Sequence, residues 1–214
     1  YTVTRHGLAV LLPLGKLILT AFIATLIFVC ITYLPIIKLI GMKISDYLKG
    51  AFEPWLIAFT TCSSAAALAV NLEASCKMGA SKAIASFAIP LGNTINMNGT
   101  SIYMGVTAVF AAEVFGIDLT LAQQFQIVLM GVLAAVGTAG VPGAGLIMTT
   151  LVFTEVGIPL EAVALIAGID RILDMIRTSV NVLGDSLTAL VVSKSEGVLG
   201  TELMDQDTVV KEQL

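Results

Sequence analysis

Charge is what this sequence has least of. Aspartate, glutamate, lysine and arginine make up 12% of its 214 residues, about half the share of roughly 25% that keeps a soluble domain's surface wet. The composition is 57% hydrophobic and the mean hydropathy is +0.97, so a water-facing exterior is excluded and a lipid-facing one implied. Histidine occurs once, at His6, and the three cysteines, Cys30, Cys62 and Cys76, form neither a CxxC pair nor a disulfide framework. Zinc and haem sites are thereby removed. No Ser-His-Asp, HExxH or Gly-x-Ser-x-Gly pattern appears, which leaves an intramembrane hydrolase without support; the chain is not read as an enzyme. A net charge of −4 without a basic cluster gives nucleic acid nothing to hold.

What the sequence does have is long apolar runs, which predict helical spans rather than the short alternating strands of a barrel. The first, Leu8 to Ile40, exceeds the roughly 20 residues that cross a bilayer and carries Pro13 and Pro35 near its ends. It lacks a small-residue cleavage site and reads as a span, not a signal peptide. The first residue is Tyr1, which suggests a chain beginning inside a longer protein. The predicted organisation is a transmembrane helix over 1–45, a hairpin over 46–80, a broken helix over 82–116, a second hairpin over 120–156, a last helix over 158–193 and a polar cytoplasmic tail over 194–214.

The basic residues set the topology. Lys38, Lys43 and Lys49 mark one loop as cytoplasmic, and Lys77 and Lys82 mark the next. The segment between must enter and return on one side, turning at SSAAA. The loops at 116–120 and 155–161 carry Asp118, Glu155 and Glu161 without lysine or arginine and read as external, so the segment between them is also re-entrant and turns at GTAGVPGAG. Arg5 and Lys16, at the outer end of the first span, conflict mildly with this statistical rule. A hairpin followed by a long helix thus occurs twice in opposite orientation. The predicted fold is an all-α, multi-pass membrane protein built as an inverted repeat of re-entrant helical hairpin plus broken or long transmembrane helix. Such repeats are typical of secondary transporters, and non-helical backbone at membrane depth must be buried or line a cavity.

Chemistry concentrates in DRILDMIRTSVNVLGD, residues 170–185. At 100° per residue, Asp170, Asp174, Arg177, Asn181 and Asp185 share one stripe, with Arg171 and Thr178 at its edges. A charge at the bilayer centre costs about 2.5 to 3.5 kcal/mol on insertion scales, so the stripe faces a partner or a wet cavity. It reads as an internal ion-pair ladder or as a ligand site with acceptors to spare. NTINMNGT, broken at its Asn-Gly pair, either frees carbonyl oxygens suited to a small cation or makes a local kink. GTAGVPGAG is a flexible gate or a small-residue packing face, and lacks the signature of a phosphate loop. Ser63 and Ser64 lie where a half-helix N-terminus would receive an anion, or they back-bond within their helix.

SSAAA, PLGNTINMNGT, GTAGVPGAG and DRILDMIRTSVNVLGD, in that order, resemble the dicarboxylate/amino acid:cation symporter family, which includes glutamate and aspartate transporters. The resemblance runs from the first span to about Glu196. It implies an elevator-type transport domain moving against a trimeric scaffold that precedes this chain, with residues 1–45 linking the two, in a plasma or inner cell membrane. Arg177 would then bind the side-chain carboxylate of an acidic amino acid and Asp174 its ammonium. Thr178 and Asn181 would add hydrogen bonds. Ser63, Ser64 and nearby amides would receive the α-carboxylate, and Thr100, Val141 and Gly145 would line the pocket. One Na+ site would use Asp185 with carbonyls of Gly92, Asn96 and Asn181; a second would use carbonyls of Thr94, Met97, Ala135, Val136 and Thr138. Asn98 stands where the family motif has aspartate, which puts a third sodium site there in question. Met104 replaces the glutamate that animal members use for proton countertransport. The expectation is sodium-coupled symport of aspartate or glutamate. The alternatives are a proton-coupled glutamate symporter, a C4-dicarboxylate or cystine symporter and, in another class, a passive ion channel.

Overall fold

The computed structural model describes residues 11–201. Arg5, His6, the start of the first span and the tail over 202–214 lie outside the described residues. Among those described the fold is helical, with no strand.

The first helix, α1, runs Leu11–Leu39 and is long and apolar enough to cross a membrane. It buries Leu14, Leu17, Ala21 and Thr25 along one stripe, and leaves Leu12, Leu19, Phe22, Ile23 and Leu26 exposed on the other side. A π turn, Val29–Tyr33, interrupts it just before Pro35. The cause is local: Pro35 has no N–H for the Ile31 carbonyl and its ring clashes one turn back, and a widened turn absorbs both.

Short α2, Ile44–Gly50, leads into α3, Phe52–Thr61, and α4, Ser64–Lys77. These two pack together as the first helical hairpin. It reverses at Cys62 and Ser63, ahead of the alanines, because Ser63 caps α4 by accepting from the Ala66 N–H at 3.2 Å; SSAAA is therefore the first turn of a helix rather than the bend. Next come α5, Lys82–Ile95, and α6, Asn98–Val114. The break between them falls at Asn96 and Met97, whose ψ values of 62° and 49° leave the helical region. That is two residues before the Asn-Gly pair the sequence pointed to. Gly99 belongs to the first turn of α6 and serves close packing: a Cβ there would collide with the Arg177 carbonyl.

The second hairpin is α7, Leu121–Val136, and α8, Ala144–Val156, joined by 137–143. Thr120 and Gln123 close a capping box at the start of α7, which satisfies two of its free N–H groups. At 16 and 13 residues, these helices are shorter than the roughly 20 that span a bilayer. The stretch predicted as one last helix from 158 is two: α9, Glu161–Ala167, and α10, Asp170–Ser195. Gly168 and Ile169 separate them, and Asp170 in the first turn of α10 suits the positive end of that helix.

α10 is the axis of the molecule, packed by α1, α3, α4, α5 and α6. In lipid, apolar helices gain little by hiding from their surroundings, so close approach through small residues becomes the means of packing. Ala58, Ala67, Ala85, Ala108 and Ala189 are all fully buried. Larger apolar groups fill two clusters, one around Met104, Phe153, Ile166 and Leu173, the other around Ile37, Tyr47, Ile89 and Leu190. Between them α10 carries its polar stripe inward: Asp170, Asp174, Arg177, Thr178, Asn181 and Asp185 are all buried.

Candidate functional site

Asp174 and Arg177 form the centre. The guanidinium reaches back one turn and engages the carboxylate twice, Nε to Oδ1 at 3.0 Å and Nη2 to Oδ2 at 2.9 Å. Thr178 Oγ1 also donates to Oδ1 at 2.7 Å, and the Gly143 N–H donates to Oδ2 at 2.9 Å. Arg177 Nη1 is different: it is buried without a hydrogen-bond partner and lies 3.9 Å from Asp170 Oδ1. Fully buried donors are rarely left unpaired. Gly145 leaves the space this group occupies, since a Cβ there would meet Nη1. The Tyr103 ring covers the guanidinium at 4.5 Å, and its hydroxyl donates to Asp170 Oδ1 at 2.9 Å.

The walls come from three breaks in regular structure. Ser64 enters from the turn of the first hairpin, Val141 and Gly145 from the loop and first turn of the second, and Thr100 from the start of α6; with Asp174, Arg177, Thr178 and Asn181 they line one cavity. Its volume is about 10 Å³, the room of about one water. The two hairpin turns touch above it, where the Gly140 carbonyl accepts from Ser63 Oγ at 2.9 Å and from the Ala65 N–H at 3.1 Å. Ser63 is thus a cap and a clasp, and the cavity wall itself is Ser64. Asn181 is fixed on three sides: Oδ1 accepts from the Gly99 N–H at 2.8 Å, and Nδ2 donates to Thr100 Oγ1 and to Met97 Sδ, each at 3.1 Å.

A second polar cluster lies two turns further along α10. Asp185 is 2% exposed and accepts from Asn96 Nδ2 at 2.9 Å. The same amide points at the Asn181 carbonyl at 3.5 Å, and Gly92 backs onto the carboxylate. Asp185 has no ion-pair partner among the described residues. A buried carboxylate without an ion-pair partner is a group that a hard cation would suit. Asn98 is a donor here, to Asn96 Oδ1 at 2.6 Å and to Tyr33 Oη at 3.1 Å. In the second predicted cation set, several groups bond within their own segments. The Thr94 hydroxyl turns back to the Leu91 carbonyl, the Met97 carbonyl accepts from the Ser101 N–H and hydroxyl, and the Ala135 carbonyl accepts from the Thr138 N–H. Val136 is exposed.

Several participants carried no signal in the sequence reading. Tyr103 and Tyr33 look like core aromatics on a helix wheel, and only the fold brings their hydroxyls to Asp170 and to the Asn98 amide. The Gly143 N–H that reaches Asp174 belongs to the glycine-rich loop, whose backbone donors were a readable hint. Asp170 accepts from Tyr103 and faces Arg177.

The chain matches the sodium:dicarboxylate symporter family over residues 1–195. It is 38% identical to a proton/sodium-glutamate symport protein of Geobacillus stearothermophilus over 201 residues, 94% of this chain and 48% of that protein. With a proton/glutamate-aspartate symporter of Escherichia coli it shares 37% over 195 residues, 91% of this chain and 45% of the other. A C4-dicarboxylate transport protein of Bacillus subtilis is 37% identical over 198 residues, 92% and 47% of the two chains. The chain spans about half the length of these curated relatives. With helices as its only regular structure among the described residues, gathered on a buried polar helix and matched over nearly its whole length, the chain belongs to the sodium:dicarboxylate symporter family, a family of membrane proteins.

Proposed function

We propose that this chain is the substrate-carrying part of a secondary active transporter that takes up aspartate or glutamate together with sodium. One observation carries the reading: a buried guanidinium with an unspent donor stands beside a buried carboxylate in the lining of one small cavity. A zwitterionic acid has the complementary pair of charges. Its ammonium takes the place of Arg177 on Asp174, and its side-chain carboxylate takes the place of Asp174 on Arg177, where the planar fork suits it. Thr178 and Asn181 orient the ligand, and Ser64 with the first amides of α4 receives the α-carboxylate. A neutral amino acid would leave the guanidinium unpaired, and a plain dicarboxylate would meet Asp174.

A cavity of about 10 Å³ has no room for an amino acid, so one wall must withdraw. The loop 137–143 is the wall whose bonds the substrate competes for, through the Gly143 N–H on Asp174. Asp185 with Gly92, Asn96 and Asn181 would hold a co-transported Na+, and the second set would gather when that loop closes on substrate. Re-entrant hairpins, an elevator movement of residues 46–193 and a trimeric scaffold built by preceding sequence complete the proposal, in a plasma or inner membrane. The names of the relatives support proton-coupled glutamate or C4-dicarboxylate transport as the second reading.

Liposomes containing the protein separate these. An inward sodium gradient is expected to drive accumulation of labelled aspartate above the outside concentration, with succinate and serine left behind. Accumulation under a proton gradient alone would favour the second reading, succinate uptake would move the substrate class, and simple equilibration would indicate a channel.

A further inference from the structure

The second arginine of the polar stripe, Arg171, has no part in the site described above, and its side chain leaves α10 in a different direction. The first hairpin reverses at Cys62 with φ 57° and ψ 32°, the one positive φ at a non-glycine among the described residues. An L side chain in the left-handed region is strained and persists only where its surroundings hold it. Arg171 provides two of those holds. Its Nη2 donates to the Thr60 carbonyl at 2.7 Å, and its own carbonyl faces Cys62 Sγ at 3.8 Å. The Thr60 carbonyl is among the last of α3, which no N–H of its own helix reaches, and a cation there also meets the negative end of that helix.

We propose that Arg171 is the positioning residue that latches the first hairpin turn to α10. α10 then carries both the substrate pair and the anchor of the wall that faces it, so the placement of Ser64 relative to Arg177 is set within one helix. The loop 137–143 differs in kind. It is held at Asp174 and at the first turn by bonds that a substrate displaces, whereas the Arg171 latch touches no ligand and stays closed through the cycle. The transport readouts of this proposal rest on the function proposed above; the latch itself does not.

Cys62 is 1% exposed and reports on the turn directly. In a background carrying Cys30→Ser and Cys76→Ala, the rate of N-ethylmaleimide attack on Cys62 is measured in liposomes without substrate. Arg171→Met keeps the stem and removes the donor, and is expected to raise that rate roughly tenfold; Arg171→Lys keeps a cation and is expected to stay within about twofold of the parent. In uptake, Arg171→Met is expected to raise the KM for aspartate roughly five- to tenfold while the maximal rate holds within about twofold, with Arg171→Lys restoring it. A Cys62 rate in Arg171→Met equal to the parent's overturns the proposal, as does Arg171→Lys behaving like Arg171→Met. Should Arg171→Met not fold, Arg171→Gln, whose shorter chain does not reach Thr60, replaces it with the same expectation. Should the protein accumulate no aspartate, the proposed function fails and the labelling rates still decide the latch.

Discussion

Asp174 and Arg177 stand one turn apart on α10 and are each other's main partner, joined at 3.0 and 2.9 Å. This internal pair is what a ladder of structural charges would show, yet the ladder is incomplete: Nη1 of Arg177 is buried and unpaired, with Asp170 at 3.9 Å. Under the proposed function the two ends of a zwitterionic acid would exchange places with this pair, the ammonium on Asp174 and the side-chain carboxylate on Arg177. Exchanging one buried pair for another limits the desolvation cost that a zwitterion would otherwise meet.

Asp174→Asn removes the counter-charge of an ammonium and leaves Arg177 without its partner. Loss of one member of a buried pair costs about 3 to 5 kcal/mol, so aspartate affinity is expected to fall by two orders of magnitude or more, about 3 kcal/mol. Succinate, no longer facing a carboxylate, is expected to bind at least as well as before. Titration calorimetry with sodium present checks both.

Gly99 and Gly145 both abut Arg177, but at different atoms. A methyl at Gly99 meets the backbone carbonyl of Arg177, whereas one at Gly145 meets the end of its side chain. Gly99→Ala is expected to lower stability by about 1 to 3 kcal/mol, as overpacking does. Gly145→Ala is expected to push the guanidinium off the Asp174 and Tyr103 groups that hold it, lowering stability by a similar amount and weakening aspartate binding more than Gly99→Ala does. Thermal unfolding in detergent checks the shared loss, and calorimetry separates the two.

Asp185→Asn leaves a neutral amide in the place of the carboxylate that faces Asn96. The gain in aspartate affinity on replacing potassium with sodium is expected to drop by about tenfold or more, because a coupling ion shifts binding only through its own differential affinity. Binding isotherms across a sodium series provide the measurement. Unchanged sodium dependence would place the ion elsewhere.

The stripe on α10 was legible because six polar residues at helical spacing, in a run that is otherwise apolar, admit one buried face. The turns were legible only to within a residue or two. Gly99 looked like a helix breaker, but close packing against the Arg177 backbone is what requires glycine there, and the break falls at Asn96 and Met97. Cys62 gave no sign of a reversal, since a left-handed cysteine is held by Arg171 from far along the chain. The same holds for Tyr103, whose hydroxyl finds Asp170 only after α6 and α10 pack. Patterns within one helix can be read locally, while partners supplied by another element cannot. The gap between α9 and α10 is an intermediate case, because Gly168 marked it and the surrounding apolar residues hid it.

Under the proposed function, Arg177 selects for the second carboxylate of the substrate. Uptake of aspartate and of serine by Arg177→Cys, in liposomes under a sodium gradient, tests it most directly. Aspartate uptake is expected to disappear while serine or alanine becomes a substrate, since the smaller thiol removes the cation and enlarges the cavity. Aspartate affinity equal to that of the parent protein would contradict it.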